Sequence, residues 1–182
     1  MATRKLHLGC GHDRKEGYIN IDSSPIVKPD MVLDLEKLPL PLEDDSIDEI
    51  VANHVLEHIR NCVPLVHELH RISRSGTLIF IKTPFYAAWG QYNDPTHVRF
   101  FTPFTFDYFS EQGAYVHEAM NTAGHTPVLK ARRIHLNYGA GRARILNPIM
   151  NPLINLHHAF YCRFFAWILP CVEIEYELEV VK

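Results

Sequence analysis

The sequence predicts an α/β domain built on a mostly parallel sheet of about seven strands. Three observations carry that expectation. Short β-like runs recur along the chain, at Lys5–Leu8, Tyr18–Asp22, Met31–Leu35, Ile47–Ala52, Thr77–Lys82, Val128–Leu136 and Glu173–Val181. Helical patterns fall between several of them, at Val63–Ile72, Phe104–Phe109 and Tyr115–Ala123, and strands alternating with helices give a parallel sheet covered on both faces. The last run differs: Glu173, Glu175, Glu177 and Glu179 alternate with Ile174, Tyr176, Leu178 and Val180. That period of two leaves one face wet, as for an antiparallel edge strand near the C-terminus.

In order, the first strand ends at Leu6-His7-Leu8-Gly9-Cys10-Gly11, where two glycines let the backbone turn sharply and approach a ligand. The second ends in Asp22, with only ten residues between it and Gly11. A parallel crossover ordinarily needs a dozen or more residues, so the first crossover is shortened and its helix vestigial. The third strand ends at Asp34-Leu35. The proline-rich stretch Leu38–Leu42 reads as a loop leading to the fourth strand. In the helix at Val63–Ile72, the residues Val63, Val66, Leu69 and His70 are expected to share a face.

Composition narrows the function. The 182 residues suit one domain spanning 1–182. A formal charge of -3 with scattered basic residues argues against a nucleic-acid surface. Cys10, Cys62, Cys162 and Cys171 never form a C-x-x-C pair, which offers no zinc knuckle or redox motif and fits free thiols in a reducing cytosol. No signal-peptide pattern precedes the first strand, and Ile145–Leu169 carries too many Asn, Pro, His and Arg residues to cross lipid. The expected location is cytoplasmic.

Ligands of parallel α/β sheets sit beyond the carboxyl ends of the strands. There Asp22 is placed to accept from the hydroxyls of an adenosine ribose, and Asp34 from an adenine amino group. Each acid also has a plainer use: Asp22 as a cap for Ser23 onward, Asp34 as a solvated loop charge.

The stretch Leu38-Pro39-Leu40-Pro41-Leu42-Glu43-Asp44-Asp45-Ser46-Ile47-Asp48-Glu49-Ile50-Val51, continuing as Ala52-Asn53-His54-Val55-Leu56-Glu57-His58-Ile59, resembles the class I S-adenosylmethionine-dependent methyltransferases, in their compact, type 11-like form. The likeness runs from about Lys5 to Tyr86. It implies a Rossmann-like fold, S-adenosylmethionine as cofactor and methyl transfer to an acceptor. Carried onto this chain, it places Gly9, Cys10 and Gly11 against the cofactor, Asp22 at its ribose, Asp34 and Leu35 at its adenine, and Asn53 and His54 at the methyl-donor end. The short first crossover removes the usual helix amino terminus, so Arg14 or Lys15 becomes a candidate partner for the cofactor carboxylate.

Three rivals arise from the same residues. A dinucleotide site needs a third glycine where Arg14 stands. His54-Val55-Leu56-Glu57-His58 spells H-x-x-E-H, a zinc-hydrolase pattern if helical, although His54 is expected in a strand-to-helix loop; the site is read as holding no metal. A third reading keeps cofactor binding without turnover, as in a sensor or scaffold.

The acceptor is left open between a glycan and another small molecule, as is the oligomeric state. His97, His54 and His58 are the candidate general bases, His97 first, with a pKa range suited to a hydroxyl acceptor. His97 lies in Asn93–Thr102, a stretch similar to one in small methyltransferases associated with cell-surface glycans, or a loop that packs through Phe100 and Phe101. Tyr86, Trp89 and Tyr92 either wall an acceptor pocket or complete the core. The aromatic segment Phe160–Trp167 has four readings: ordinary packing, an active-site cap, a dimer face or peripheral membrane contact.

Overall fold

The structure, a computed structural model, describes residues 4–111 and 128–182; the helix expected at Tyr115–Ala123 lies outside them. Seven strands form one sheet: β1 (Lys5–Leu8), β2 (Ile19–Asp22), β3 (Met31–Val32), β4 (Ile47–Asn53), β5 (Ser73–Pro84), β6 (Leu129–Asn137) and β7 (Glu173–Val180). Their spatial order is β3-β2-β1-β4-β5-β7-β6. The first five pair in parallel, and β7 runs antiparallel to both β5 and β6. The antiparallel strand therefore lies one place in from the border, and β6 is the edge. The wet face of β7 reflects what faces it across the sheet, not an edge position.

Among the described residues the helices are α1 (Cys62–Ile72), α2 (Trp89–Asn93), α3 (Asn147–Ile154) and α4 (His158–Phe164). The run at Phe104–Phe109 forms a 3-10 helix over Thr105–Phe109. In α1 the buried side is Cys62, Leu65, Val66, Leu69 and Ile72, while Val63 is exposed. The expected face was therefore rotated: helical spacing from Cys62 and Leu65 carries the apolar stripe through Leu69 and Ile72, and Val63 and His70 fall outside it.

Register explains the core. Leu6, Ile50, Ile79 and Leu178 lie in one row across the strands, and Leu8, Ala52, Ile81 and Tyr176 in the next. All eight are buried and join α1 in the core cluster. On the opposite face the rows read His7, Val51, Phe80, Glu177 and Arg133, then Asn53, Lys82, Glu175 and His135. Toward β6 that face is charged and partly exposed, so the expectation of two apolar, covered faces holds for one of them.

The connection from β1 to β2 is short and, among the described residues, carries no helix. A buried amide organises it instead. Asn20 accepts from the Lys15 amide at 2.8 Å and donates to Lys15 O, Tyr18 O and Asp30 Oδ2. Arg14 donates to Lys28 O and to Asp30, which commits the guanidinium to the loop after β2 rather than to a ligand.

After β6 the chain folds back along its own edge. Asn147, Asn151 and Asn155 recur every four residues, which aligns them on one helical face. Asn147 accepts from Gly139 N at 2.9 Å and donates to its carbonyl at 3.1 Å. Asn151 accepts from Tyr138 N at 2.9 Å. Asn155 accepts from Leu136 N at 2.8 Å and donates to Leu136 O at 2.9 Å. The three amides satisfy backbone groups that a neighbouring strand would otherwise take. This segment buries Tyr161, Ala166 and Cys171 but exposes Ile145, Ile149, Leu156, Phe160, Trp167 and Ile168. Among the described residues, no helix is long and apolar enough to cross a membrane.

Candidate active site

The turn after β1 uses its glycines as expected. Gly9 (φ 58°) and Gly11 (φ 49°) both take the left-handed conformation that side chains disfavour. Gly9 is also tightly approached, because a Cβ there would lie 2.3 Å from Val55 Cγ2. Cys10 turns inward: its side chain is buried, its amide donates to Ile21 O at 3.0 Å, and burial raises its thiol pKa.

Asp22 closes over this turn. One carboxylate oxygen accepts from Gly11 N at 2.9 Å and the other from Ser24 N at 2.8 Å. Leu33 N donates to Asp22 O at 2.9 Å and ends β3 early, leaving Asp34 and Leu35 in a turn where Asp34 Oδ1 accepts from Glu36 N at 3.0 Å. Gly9, Asp22, Leu33, Asp34, Leu35, His54, Val55 and His58 all border one hollow of about 250 Å³ at the strand carboxyl ends. A larger hollow of about 380 Å³, beside Ser75, Leu129 and Glu179, lies at the opposite end of the sheet, away from where such folds bind ligands.

Asn53 departs from expectation. It alternates with Ala52 along β4 and pairs in register with Lys82, so it borders a separate hollow of about 200 Å³ with Lys82, His135 and Glu175. His54 follows with φ 54° and stands between two acids, Nε2 at 3.2 Å from Glu173 and Nδ1 at 3.3 Å from Glu57. Glu173 and then Glu57 raise its pKa to about 9. His54 therefore carries its proton at neutral pH and is a poor general base, contrary to its place among the candidate bases. With both ring nitrogens engaged and only Leu56–His58 in a single 3-10 turn, the helical pairing that H-x-x-E-H demands does not form.

His58 and His97 meet edge to face, with ring centroids 4.8 Å apart. The loop holding His97 turns at Asp94, whose carboxylate accepts from Thr96 N at 2.8 Å, and docks through Val98 N and Arg99 N on Glu57 O. Phe101 is buried and Phe100 exposed, so the loop packs through Phe101 and not, as expected, through both. Tyr86 donates to Cys162 O at 3.1 Å, tying the loop after β5 to α4. Trp89 and Tyr92 are exposed. Glu173 could not be picked out from sequence as a site residue: it reaches His54 only because β7 folds back beside β5.

Burial raises the Glu173 pKa, but His54 and Lys82, the latter with Nζ at 2.7 Å, outweigh it and hold the pKa at about 2. A depressed carboxylate contributes stability that is present above its unfolded value near 4.5 and lost as pH falls through about 2. The shift corresponds to a contribution on the order of 3 kcal/mol. Thermal unfolding of Glu173→Gln is expected to show a lower midpoint at pH 7 and a shallower loss between pH 4.5 and 2 than the parent protein.

The glycine turn after β1, the acid that ends β2 and the strand order place the hollow at the carboxyl ends of β1, β2 and β4, where α/β folds of this kind bind their ligands. Residues 10–81 match the family described as "Methyltransferase domain". The fold aligns 98% of this chain with 86% of an S-adenosylmethionine-dependent methyltransferase from Archaeoglobus fulgidus, at 15% identity and a TM-score of 0.60. It aligns 97% of this chain with 90% of another from Mesorhizobium loti, at 15% identity and a TM-score of 0.53. The cyclase SpnF shares the fold too, with 99% of this chain on 76% of that one, 13% identity and a TM-score of 0.58. At these identities the likeness shows the fold alone. No curated protein matches the chain. The chain thus shares the fold of S-adenosylmethionine-dependent methyltransferases, and its residues 10–81 are similar to the methyltransferase-domain family.

Proposed function

We propose that this domain binds S-adenosylmethionine in the hollow between Gly9, Asp22 and Asp34 and methylates a small-molecule or glycan acceptor. The observation that carries the reading is the Asp22 carboxylate, bonded to the Gly11 amide at 2.9 Å at the rim of that hollow. Each Asp22 oxygen keeps a lone pair for a ribose hydroxyl, and Asp34 with Leu35 borders the adenine side. When bound, the cofactor supplies an electrophilic methyl group on a sulfonium. The chain's part is to hold the acceptor atom about 3 to 3.5 Å from that carbon.

For a hydroxyl acceptor, His97 and His58 are the groups suited to take a proton. His97 Nδ1–H donates to Gln91 O at 3.0 Å, which makes Nε2 the atom available to an acceptor proton. His54 instead offers a fixed positive charge beside the hollow. Calorimetry with S-adenosylhomocysteine and NADH tests the reading: uptake of the first and not the second is expected, and the reverse would overturn it. A cytoplasmic location is proposed with it.

The composition of the C-terminal segment suits peripheral contact with a bilayer. From Gly139 to Val172 it contains Arg142, Arg144 and Arg163 and no acidic residue, and it exposes Ile145, Ile149, Trp167 and Ile168. Exposed apolar side chains in a segment whose charged residues are all cationic suit an anionic lipid surface. Co-sedimentation with phosphatidylglycerol vesicles, lost in Trp167→Ser/Ile168→Ser, is the expected outcome.

A further inference from the structure

Glu57, His58 and His97 come from two separate segments, the turn after β4 and the loop after α2. Each places one ligand-type nitrogen or oxygen within 4.8 Å of the other two. Glu57 is fully buried; its Oε1 faces the His54 ring at 3.3 Å in the ion pair described above, and its Oε2 has no hydrogen-bond partner. Buried carboxylate oxygens without hydrogen bonds are rare and costly, and an ion is one of the few things that accounts for them.

Outer hydrogen bonds fix both imidazoles in the form a metal requires. Gln91 O can only accept, so His97 carries its proton on Nδ1. Thr96 Oγ1 donates to Asp94 Oδ1 at 2.6 Å, so it accepts from His58 Nδ1 at 2.9 Å. Each ring thus engages Nδ1 with an outer partner, a carbonyl for His97 and a hydroxyl–carboxylate relay for His58, which leaves Nε2 as the ligand atom; His97 Nε2 also lies 3.8 Å from Asp94 Oδ2. Metal-binding histidines are oriented in this way.

We infer that Glu57, His58 and His97 form a binding site for a divalent transition-metal ion of the zinc class, beside the cofactor hollow that His58 also borders. Two imidazole nitrogens and one carboxylate oxygen suit zinc-like ions better than magnesium or calcium, which prefer oxygen alone. Ligands around one tetrahedral zinc stand about 3.3 Å apart, so the three groups, now within 4.8 Å of one another, would draw together on binding. Three protein ligands leave a position open. The inference rests on the methyl-transfer reading for the use of that position: an acceptor hydroxyl bound there is acidified by the ion and releases its proton to solvent, and the two histidines then hold the ion instead of acting as bases.

The test is direct metal uptake by the purified full chain after chelation and dialysis. Titration with cobalt(II) chloride is expected to give one ion per chain and a visible absorption band of nitrogen–oxygen coordination, with zinc chloride competing and magnesium chloride not. Loss of an outer partner costs about 10 to 100-fold in metal affinity, so loss of a ligand should cost about 100-fold or more. Glu57→Gln and His97→Ala should each show that loss, and Asp94→Asn the smaller one. If Glu57→Gln fails to fold, His97→Ala decides alone, because its side chain does not border the cofactor hollow. S-adenosylhomocysteine binding by His97→Ala is read in parallel, which separates failure of the metal site from failure of the cofactor site. Absence of stoichiometric uptake, or equal uptake by the parent and His97→Ala, overturns the inference.

Discussion

Asp22→Ala is expected to weaken S-adenosylhomocysteine binding by about 100-fold or more in calorimetry, while the sheet still folds. The carboxylate accepts from Gly11 N and Ser24 N, and in the proposed complex it would also accept from two ribose hydroxyls. A hydrogen bond to a charged group contributes about 1.5 to 3 kcal/mol. Two of them lost amount to about 3 kcal/mol at least, or about two powers of ten in affinity. Water can reach the partly exposed Gly11 and Ser24 amides, so the fall in unfolding temperature should be modest beside the loss of binding. Asp22→Asn keeps one acceptor oxygen without the charge and should fall between the two. Unchanged affinity in Asp22→Ala would remove the ribose role.

Gly9→Ala should damage both folding and binding. A Cβ at Gly9 meets Val55 Cγ2 at 2.3 Å, and Val55 is buried on the wall of the hollow. The added methyl forces Val55 into the ligand space or opens the turn. Left-handed backbone costs a non-glycine residue about 1–2 kcal/mol, and overpacking about 1–3 kcal/mol more. The expected result is a loss of about 2 to 5 kcal/mol in unfolding free energy and at least tenfold in cofactor affinity. Gly11→Ala is the internal comparison: its φ is also positive, but an added Cβ meets nothing within 4 Å, so only the backbone cost applies. Gly9→Ala/Val55→Ala should recover the packing part. Equal stability of Gly9→Ala and Gly11→Ala would show that Val55 gives way freely.

The strands were legible because each is an apolar run or a period-two alternation bounded by turn residues, and their number and places agree with the sheet. The third was overextended to Leu35, because only the bond from Leu33 N to Asp22 O shows where pairing stops. In α1 the stripe was misassigned by starting from Val63 instead of Cys62. The site was legible where it is local. Gly9, Asp22, Asp34, Leu35 and His54 follow strands and border one hollow. Asn53 was misplaced although its alternation with Ala52 already put it on the other face. Long-range pairings were out of reach: nothing near His54 announces Glu173, and nothing near Glu57 announces His97. Arg14 looked free in sequence because Asp30, which takes it, lies beyond the next strand.

The border strand β6 has a consequence for how molecules behave at high concentration. An unprotected strand invites edge-to-edge self-association. Here the end of the strand and the two residues after it, Leu136 to Gly139, offer few open amides because the asparagine side chains already occupy them. The lower part presents Lys130, Arg132 and Arg133, all exposed, so a second copy approaching in register would bring like charges together. Growth of the sheet into ribbons is blocked at one end by saturation and at the other by repulsion.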